Sequence, residues 1–399
     1  MNRRHLLLIS SVAGMAVIGL VARFAVPALA IEHHPKTIAG LKAAAVEAAT
    51  TTPGHRRIRV LIVPGHEPDS GGTVQGRLKE RDLAVQLAKR LQGLLDADGR
   101  YETMLSRDEQ GWNPEIAAYF AEHHDDIDAW QKEAKAEMDA RIASGEVPKP
   151  VVHIGHNKAP GEVALRLYGI TKWADEHDVD VMLHVHFDDD RASSRAVGRR
   201  TGFAIFVPTP EYDNAASSRA VAEKVRARLA AFDPIGNLRA EIAAGGIVDD
   251  PQLIATGRQN TADAASMLIE YAFIYEARLT APAVRALAVD DMAYQTALGL
   301  EDFFFGAAHP AGATSVLPHA WTKTVRAGSD PADVYALQTA LILDGDYPPP
   351  GASRNACPRN GRFGPCTRAA LAAFQKKYGI AGESGEAGPK TLAELARRP

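Results

Sequence analysis

Only two of the 399 residues are cysteine, Cys357 and Cys366. So few exclude a disulfide-dense scaffold and any cysteine-rich zinc knuckle. Basic residues are not in excess either: 45 Lys and Arg stand against 49 Asp and Glu, a net charge of −4. A nucleic-acid-binding surface needs a clear basic bias, so no nucleic-acid partner is expected. Long apolar runs are also scarce. Leu6 to Ala22 barely reaches the ~17 residues that span a bilayer. It follows the basic Asn2-Arg3-Arg4-His5 and precedes Ala28-Leu29-Ala30, small residues suited to cleavage after Ala30. Residues 1–30 therefore read as a secretory signal peptide, with Arg3-Arg4 as a weak twin-arginine signal. An uncleaved anchor is the alternative, and only then is the membrane a partner. Either way the chain is expected to be exported, to the periplasm, the cell envelope or the extracellular space.

The rest is globular in composition, and its length suits two domains. The stretch Leu61 to Glu80 is the strongest candidate for chemistry. Ile58 to Val63 is short, apolar and β-branched, and Pro64-Gly65 ends it, which predicts a buried strand. His66 then sits just past a strand end, where open α/β sheets place ligands. A glycine-rich loop follows, with Gly71, Gly72 and Gly76. A helix is expected from near Lys79, with Leu83, Leu87, Leu91, Leu94 and Leu95 at helical spacing and Glu80 in its first turn. A histidine and a carboxylate offered from a strand end and a helix start are ligand types that zinc takes. The plainer alternative has His66 capping the strand and Glu80 complementing the helix dipole.

Further along, Val181 to Asp188 alternates. Val181, Leu183, Val185 and Phe187 point one way, and His184, His186 and Asp188 the other. Met267 to Ala272 reads as an apolar strand broken by one carboxylate, Glu270. A lone glutamate there is unfavourable unless it faces a polar site. Residues 31–56 read as a linker with room for one helix, and residues 109–150 as a charged, solvated helical insertion. His123-His124, His153 and His156 lack a partner carboxylate at a defined spacing and are not taken as ligands. Residues 309–329 read as an inter-domain linker, and 330–399 as a small helical module.

Together these motifs resemble the zinc-dependent N-acetylmuramoyl-L-alanine amidases of the type-3 family. The likeness rests on Pro64-Gly65-His66, Glu80, Ser106-Arg107, His184-Val185-His186-Phe187-Asp188, Ile269-Glu270 and the closing helix from Met292 to Phe303. It implies a catalytic domain over 57–308 with a twisted, mostly parallel α/β sheet flanked by helices. It also implies that His66, Glu80 and His186 hold Zn2+ and that Glu270 is the catalytic acid/base. Three protein ligands leave a fourth position open, and a zinc ion brings the pKa of bound water from 15.7 to about 7.

The chain departs from the family at three places. Glu67-Pro68 follows His66 where glycines are usual, His184 stands for Ser, and Asp188 stands for Asn. His184 and Asp188 are candidates for orienting a ligand or touching substrate, and His184 competes with His186 as ligand. The insertion is either a cap or a lid whose carboxylates take the open metal position.

Residues 330–399 are similar to the peptidoglycan-binding domain type 1, through Leu337-Gln338, Tyr347, Phe363-Gly364, Thr367, Phe374-Gln375 and Thr391-Leu392. Cys357 and Cys366 fall in a loop of this all-α domain and are expected to pair in an oxidising compartment, two free thiols being the alternative. The implied partner is peptidoglycan, with a protein activator as a further candidate. Two rival functions stay open: a degenerate protein that only grips peptidoglycan, and a zinc hydrolase of another wall bond.

Overall fold

Short, largely apolar segments build the six-stranded sheet that carries the candidate site. A computed structural model describes residues 34–50, 56–149, 159, 161–191, 198–251, 253–256, 259–260, 262–306 and 309–397. The signal-peptide reading and His153 and His156 lie outside the described residues. Among the described residues no helix is long and apolar enough to cross a membrane.

The first half of the chain runs α1 (Ile38–Ala48), β1 (Ile58–Pro64), β2 (Val74–Gln75), β3 (Leu78–Lys79), α2 (Glu80–Asp98), β4 (Tyr101–Leu105), α3 (Pro114–Glu122), α4 (His124–Ser144), α5 (Gly161–Glu176) and β5 (Val181–Asp188). The second runs β6 (Ala204–Val207), α6 (Ala215–Phe232), α7 (Arg239–Ala243), β7 (Ile247–Asp249), β8 (Ala265–Phe273), α8 (Ala277–Thr280), α9 (Pro282–Phe304), α10 (Pro331–Leu343), α11 (Pro365–Lys377) and α12 (Pro389–Ala396). Six strands form one sheet in the order β4-β1-β5-β8-β6-β7. The first four are parallel, and β6 joins β8 antiparallel. The sheet is thus mostly parallel, as expected, with a reversed edge.

β1 and β5 are buried on both faces, which explains their near-continuous apolar sequence. Val60, Ile62, Leu183, Val185, Met267 and Ile269 join the main core with α2, α6 and α9. Val63, His184, Leu268 and His186 take the opposite face, toward α5. α2 presents Leu83, Leu87, Leu91 and Leu95 to the core, but Leu94 is exposed and does not belong to that stripe.

Residues 109–150 are less solvated than their charge suggests. α3 and α4 bury Ile116, Tyr119, Ile127 and Trp130, and the Trp130 ring meets Tyr168 of α5 edge-on at 5.9 Å. The charges occupy the outer side of helices whose inner side is apolar, so the insertion forms a layer over α5.

The C-terminal helices α10, α11 and α12 close a small core of Val334, Leu337, Leu341, Leu371, Phe374 and Leu395. A disulfide joins Cys357, in the loop before α11, to Cys366 in the first turn of α11.

Residues 309–329, expected as a linker, are not a loose tether. Arg228 of α6 donates to the carbonyls of His309 and Pro310. Asp291 of α9 accepts from Thr314 Oγ1 and the Ser315 N–H. Val316 is buried, and Val325 pairs with Ala387 of the C-terminal module. Its prolines and small residues carry no periodicity, so nothing local in the sequence marks this packing. Side-chain hydrogen bonds from distant helices order it instead.

Candidate metal centre

Three elements remote in the chain deliver three side chains to one place. His66 follows the end of β1, Glu80 opens α2, and His186 lies near the end of β5. Their ligand atoms all lie within 4.8 Å of one another. β1 and β5 are neighbours in the sheet, and the Gly65 N–H donates to Val185 O, so the pairing runs up to the residue before His66.

The loop between His66 and Glu80 is closed by reciprocal bonds. The Glu80 N–H donates to Thr73 O, and the Thr73 N–H donates to Glu80 Oε2 at 2.9 Å. Glu80 Oε1 accepts from the Phe187 N–H at 3.1 Å and from His186 Nδ1 at 3.1 Å. Burial by itself would raise the Glu80 pKa, but the nearby His186 and His66 rings outweigh that and hold it below the usual carboxylate range. Glu80 is therefore anionic, and its orientation is set by backbone.

Two glycines are required by contact. A Cβ on Gly65 would lie 2.4–2.6 Å from the His186 ring. One on Gly72, where φ is +77°, would lie 2.9 Å from His66 Cδ2. His66 itself adopts φ 70, uncommon for a residue with a side chain. Gly65→Ala is expected to push the His186 ring away and weaken metal affinity by about 10–100-fold, as loss of a supporting contact typically does. A competitive chelator titration would measure it.

Arg107 supports the same turn. The residue is 1% exposed. It donates to the carbonyls of Pro64, Gly65, His66 and Arg81. Burial pushes its pKa down to about 10. The sequence singled out Arg107 only by resemblance, because a guanidinium bound to backbone carbonyls leaves no mark on its partners' identities.

The residues fit a metal ion. His66 Nε2 lies 2.8 Å from Glu80 Oε1, yet it is buried without a hydrogen-bond partner. Two donor atoms held that close without a proper hydrogen bond suit lone pairs aimed at a shared cation. Two imidazoles and one carboxylate form a donor set of the kind zinc takes in catalytic sites.

Glu270 and His184 sit beside this cluster. Glu270 on β8 is the register partner of His186 on β5, so their Cα atoms lie about 5 Å apart. Glu270 Oε2 has no hydrogen-bond partner. Burial raises its pKa well above the ordinary carboxylate value, and Glu80 and Asp188 add to the rise. Asp188 is raised too, mainly by burial. His184 is 2% exposed, and burial followed by the neighbouring His186 pushes its pKa down to about 3. It stays outside the three-residue cluster.

A cavity of about 400 Å³ opens beside the histidines. Its walls come from β1, β5, β8, α5 and the loop at 253–255. Glu67, one of the departures in sequence, lines it in an ion pair with Arg166 at 3.0 Å. Of the 109–150 segment only Trp112 lines it, and none of that segment's carboxylates does. The lid reading gains nothing from this geometry. His123 and His124 face solvent beside Asp126 and Asp125, away from the cluster.

Comparison with known proteins gives two family matches. A model described as N-acetylmuramoyl-L-alanine amidase matches residues 60–302, and one described as a peptidoglycan binding domain matches 330–395. No curated protein matches the chain. Among solved structures, the amidase Ami1 of Mycobacterium smegmatis is 14% identical with a TM-score of 0.40, covering 62% of this chain and 96% of its own. The CwlD amidase of Clostridioides difficile, solved with the GerS lipoprotein, is 11% identical with a TM-score of 0.39, covering 62% and 98%. The amidase AmiC2 of Nostoc punctiforme is 17% identical with a TM-score of 0.37, covering 62% and 96%.

Proposed function

This chain belongs to the N-acetylmuramoyl-L-alanine amidase family, and from that premise we propose that His66, Glu80 and His186 hold a zinc ion while Glu270 moves the proton in hydrolysis of the amide between the muramoyl group and L-alanine. It is a hydrolase with a peptidoglycan-binding domain, acting on the cell wall outside the cytoplasm. The observation that carries the zinc reading is the meeting of three ligand atoms within 4.8 Å from elements far apart in the chain.

Zinc bound there supplies a Lewis acid for the scissile carbonyl and makes water acidic enough to react at neutral pH. The residues of the chain do the rest. Glu80 stays anionic and is held by the Phe187 and Thr73 N–H groups, so it keeps its position through the cycle. Glu270 has a free Oε2 and a raised pKa, which suit it to take the proton of the attacking water and pass it to the departing amine nitrogen. His184 stays neutral and adds no charge beside the ligands. The catalytic domain spans 57–308 in this reading, and the wall-gripping domain 330–399. The disulfide suits an oxidising envelope compartment such as the periplasm.

Digestion of purified sacculi, read by mass spectrometry, tests the bond. The expected products are free peptides with an L-alanine N-terminus and intact glycan. Peptides cut elsewhere, or sugar fragments, would sink the reading. Metal analysis of the purified chain is expected to find one zinc, with activity lost on chelation and restored by added zinc. A protein without stoichiometric metal that still binds sacculi would instead be a gripping protein.

A further inference from the structure

We propose that Asp189 and Arg191, just past the end of β5, are positioning residues for the Glu80 carboxylate: they clamp the hairpin of β2 and β3 and thereby set the affinity of the centre for its metal. This rests on the zinc reading above and adds what fixes the one ligand that no strand of the main sheet leads into.

His66 and His186 come from the ends of two paired strands, β1 and β5. Glu80 opens α2 and has to be aimed from outside the sheet. Two backbone groups aim it. The Phe187 N–H, on Oε1, belongs to a buried strand and is fixed by it. The Thr73 N–H, on Oε2, follows Gly71 and Gly72, both at positive φ. Glycines there give the unfolded chain a wide choice of conformations, so ordering Thr73 needs a partner from elsewhere. The hairpin that follows does not supply one. β2 and β3 pair over two residues each, and even a longer two-stranded hairpin is marginal alone.

The loop after β5 supplies the partner. Thr73 Oγ1 donates to Asp189 Oδ2, across 116 residues of sequence. Arg191 holds the same carboxylate in a fork, with Nε 2.7 Å from Oδ1 and Nη2 2.8 Å from Oδ2. The guanidinium also donates to Val74 O at 3.2 Å and to the side-chain oxygen of Gln75. The Arg191 side chain is 2% exposed and that of Asp189 15%. A solvated surface pair would contribute little, but this one is shielded and bidentate. The far side of the loop is held as well. The Tyr275 ring, just past β8, lies 5.0 Å from the Arg191 guanidinium, and its hydroxyl donates to Asp190. A line of bonds thus runs from Arg191 through Asp189 and Thr73 to Glu80.

The probe is Zn2+ alone, titrated into the full-length, metal-free protein against a chromogenic chelator. Thr73→Val keeps the N–H to Glu80 and removes the hydroxyl that anchors it. Asp189→Asn leaves one acceptor oxygen for partners that use two. Each is expected to weaken zinc binding by about 10–100-fold. Both act on one bond, so the double variant is expected to bind no worse than the weaker single. Thr73→Ser restores the hydroxyl and is expected to bind zinc like the wild type. Melting of the zinc-free proteins reports that each is folded. If Asp189→Asn does not fold, the Thr73→Val and Thr73→Ser pair decides. A tie that served stability alone would lower the melting temperature and leave zinc affinity where it was. Wild-type affinity in Thr73→Val therefore overturns the proposal. So do additive losses in the double variant, or Thr73→Ser binding as weakly as Thr73→Val. If the wild type itself binds no zinc, the metal reading falls and takes this clamp with it. If the wild type binds zinc and Thr73→Val binds it equally, the clamp alone falls.

Discussion

Glu270→Gln is expected to keep its zinc and lose turnover by about 10²–10⁴-fold, the usual contribution of a positioned acid/base. The two halves of this outcome come from different observations. Metal retention is expected because the cluster that could hold the ion consists of His66, Glu80 and His186 without Glu270. The loss of turnover follows because Glu270 is the register neighbour of His186 and carries an oxygen with no structural partner. Glutamine has the same shape, so the fold is not strained by the change, but an amide cannot accept and return a proton. Burial raises the Glu270 pKa well above the ordinary carboxylate value, the direction a group that takes up a proton and passes it on requires. Metal analysis beside kcat on a soluble muramoyl peptide measures both halves. Turnover near the wild-type rate would remove Glu270 from the reaction, and loss of zinc would make it a ligand.

Arg359→Met is expected to destabilise the docking of the C-terminal domain by about 3–5 kcal/mol, the usual consequence of breaking a buried ion pair from one side. Arg359 is 2% exposed and lies in the C-terminal domain, yet its strongest partners belong to the catalytic domain. It bonds Asp291 of α9 at 2.8 Å and Asp233, after α6, at 3.3 Å. Its guanidinium also lies over Phe232 at 5.0 Å and Tyr335 at 4.6 Å. Removing it strands Asp291 in the interior with only hydroxyl, amide and backbone donors, while Asp233 keeps Arg278. The domains should then unfold in separate steps, with the C-terminal one released first. Urea unfolding followed by two probes would show the split. Limited proteolysis at 309–329 would show the freed segment. Asp291→Asn in the same chain should recover part of the loss, because the stranded charge is gone. A single unshifted transition would sink the claim. The lock also holds the peptidoglycan-binding domain and the candidate metal centre in one frame.

Much of the site was legible in the sequence because its signals are local. A strand has a period of two, so Val181 to Asp188 by itself places His184, His186 and Asp188 on one face. A Pro-Gly stop after an apolar run marks the end of β1 and puts His66 at a strand terminus. The apolar stripe of α2 begins near Glu80 whatever surrounds it, although the period wrongly took in Leu94.

Only the tertiary structure decided the rest. It chose which three of the polar groups converge, since His66 and His186 meet only because β1 and β5 are neighbours in the sheet. It showed that Arg107 grips a turn through backbone carbonyls, that Glu67 and His184 share a cavity, and that 309–329 is packed. It also buried Arg359, a loop residue that no local pattern in the sequence marks. Periodicity encodes which way a side chain points within its own element. Which charges are neutralised, and which polar atoms are left without partners, depends on groups far away in the chain, and no local pattern carries that.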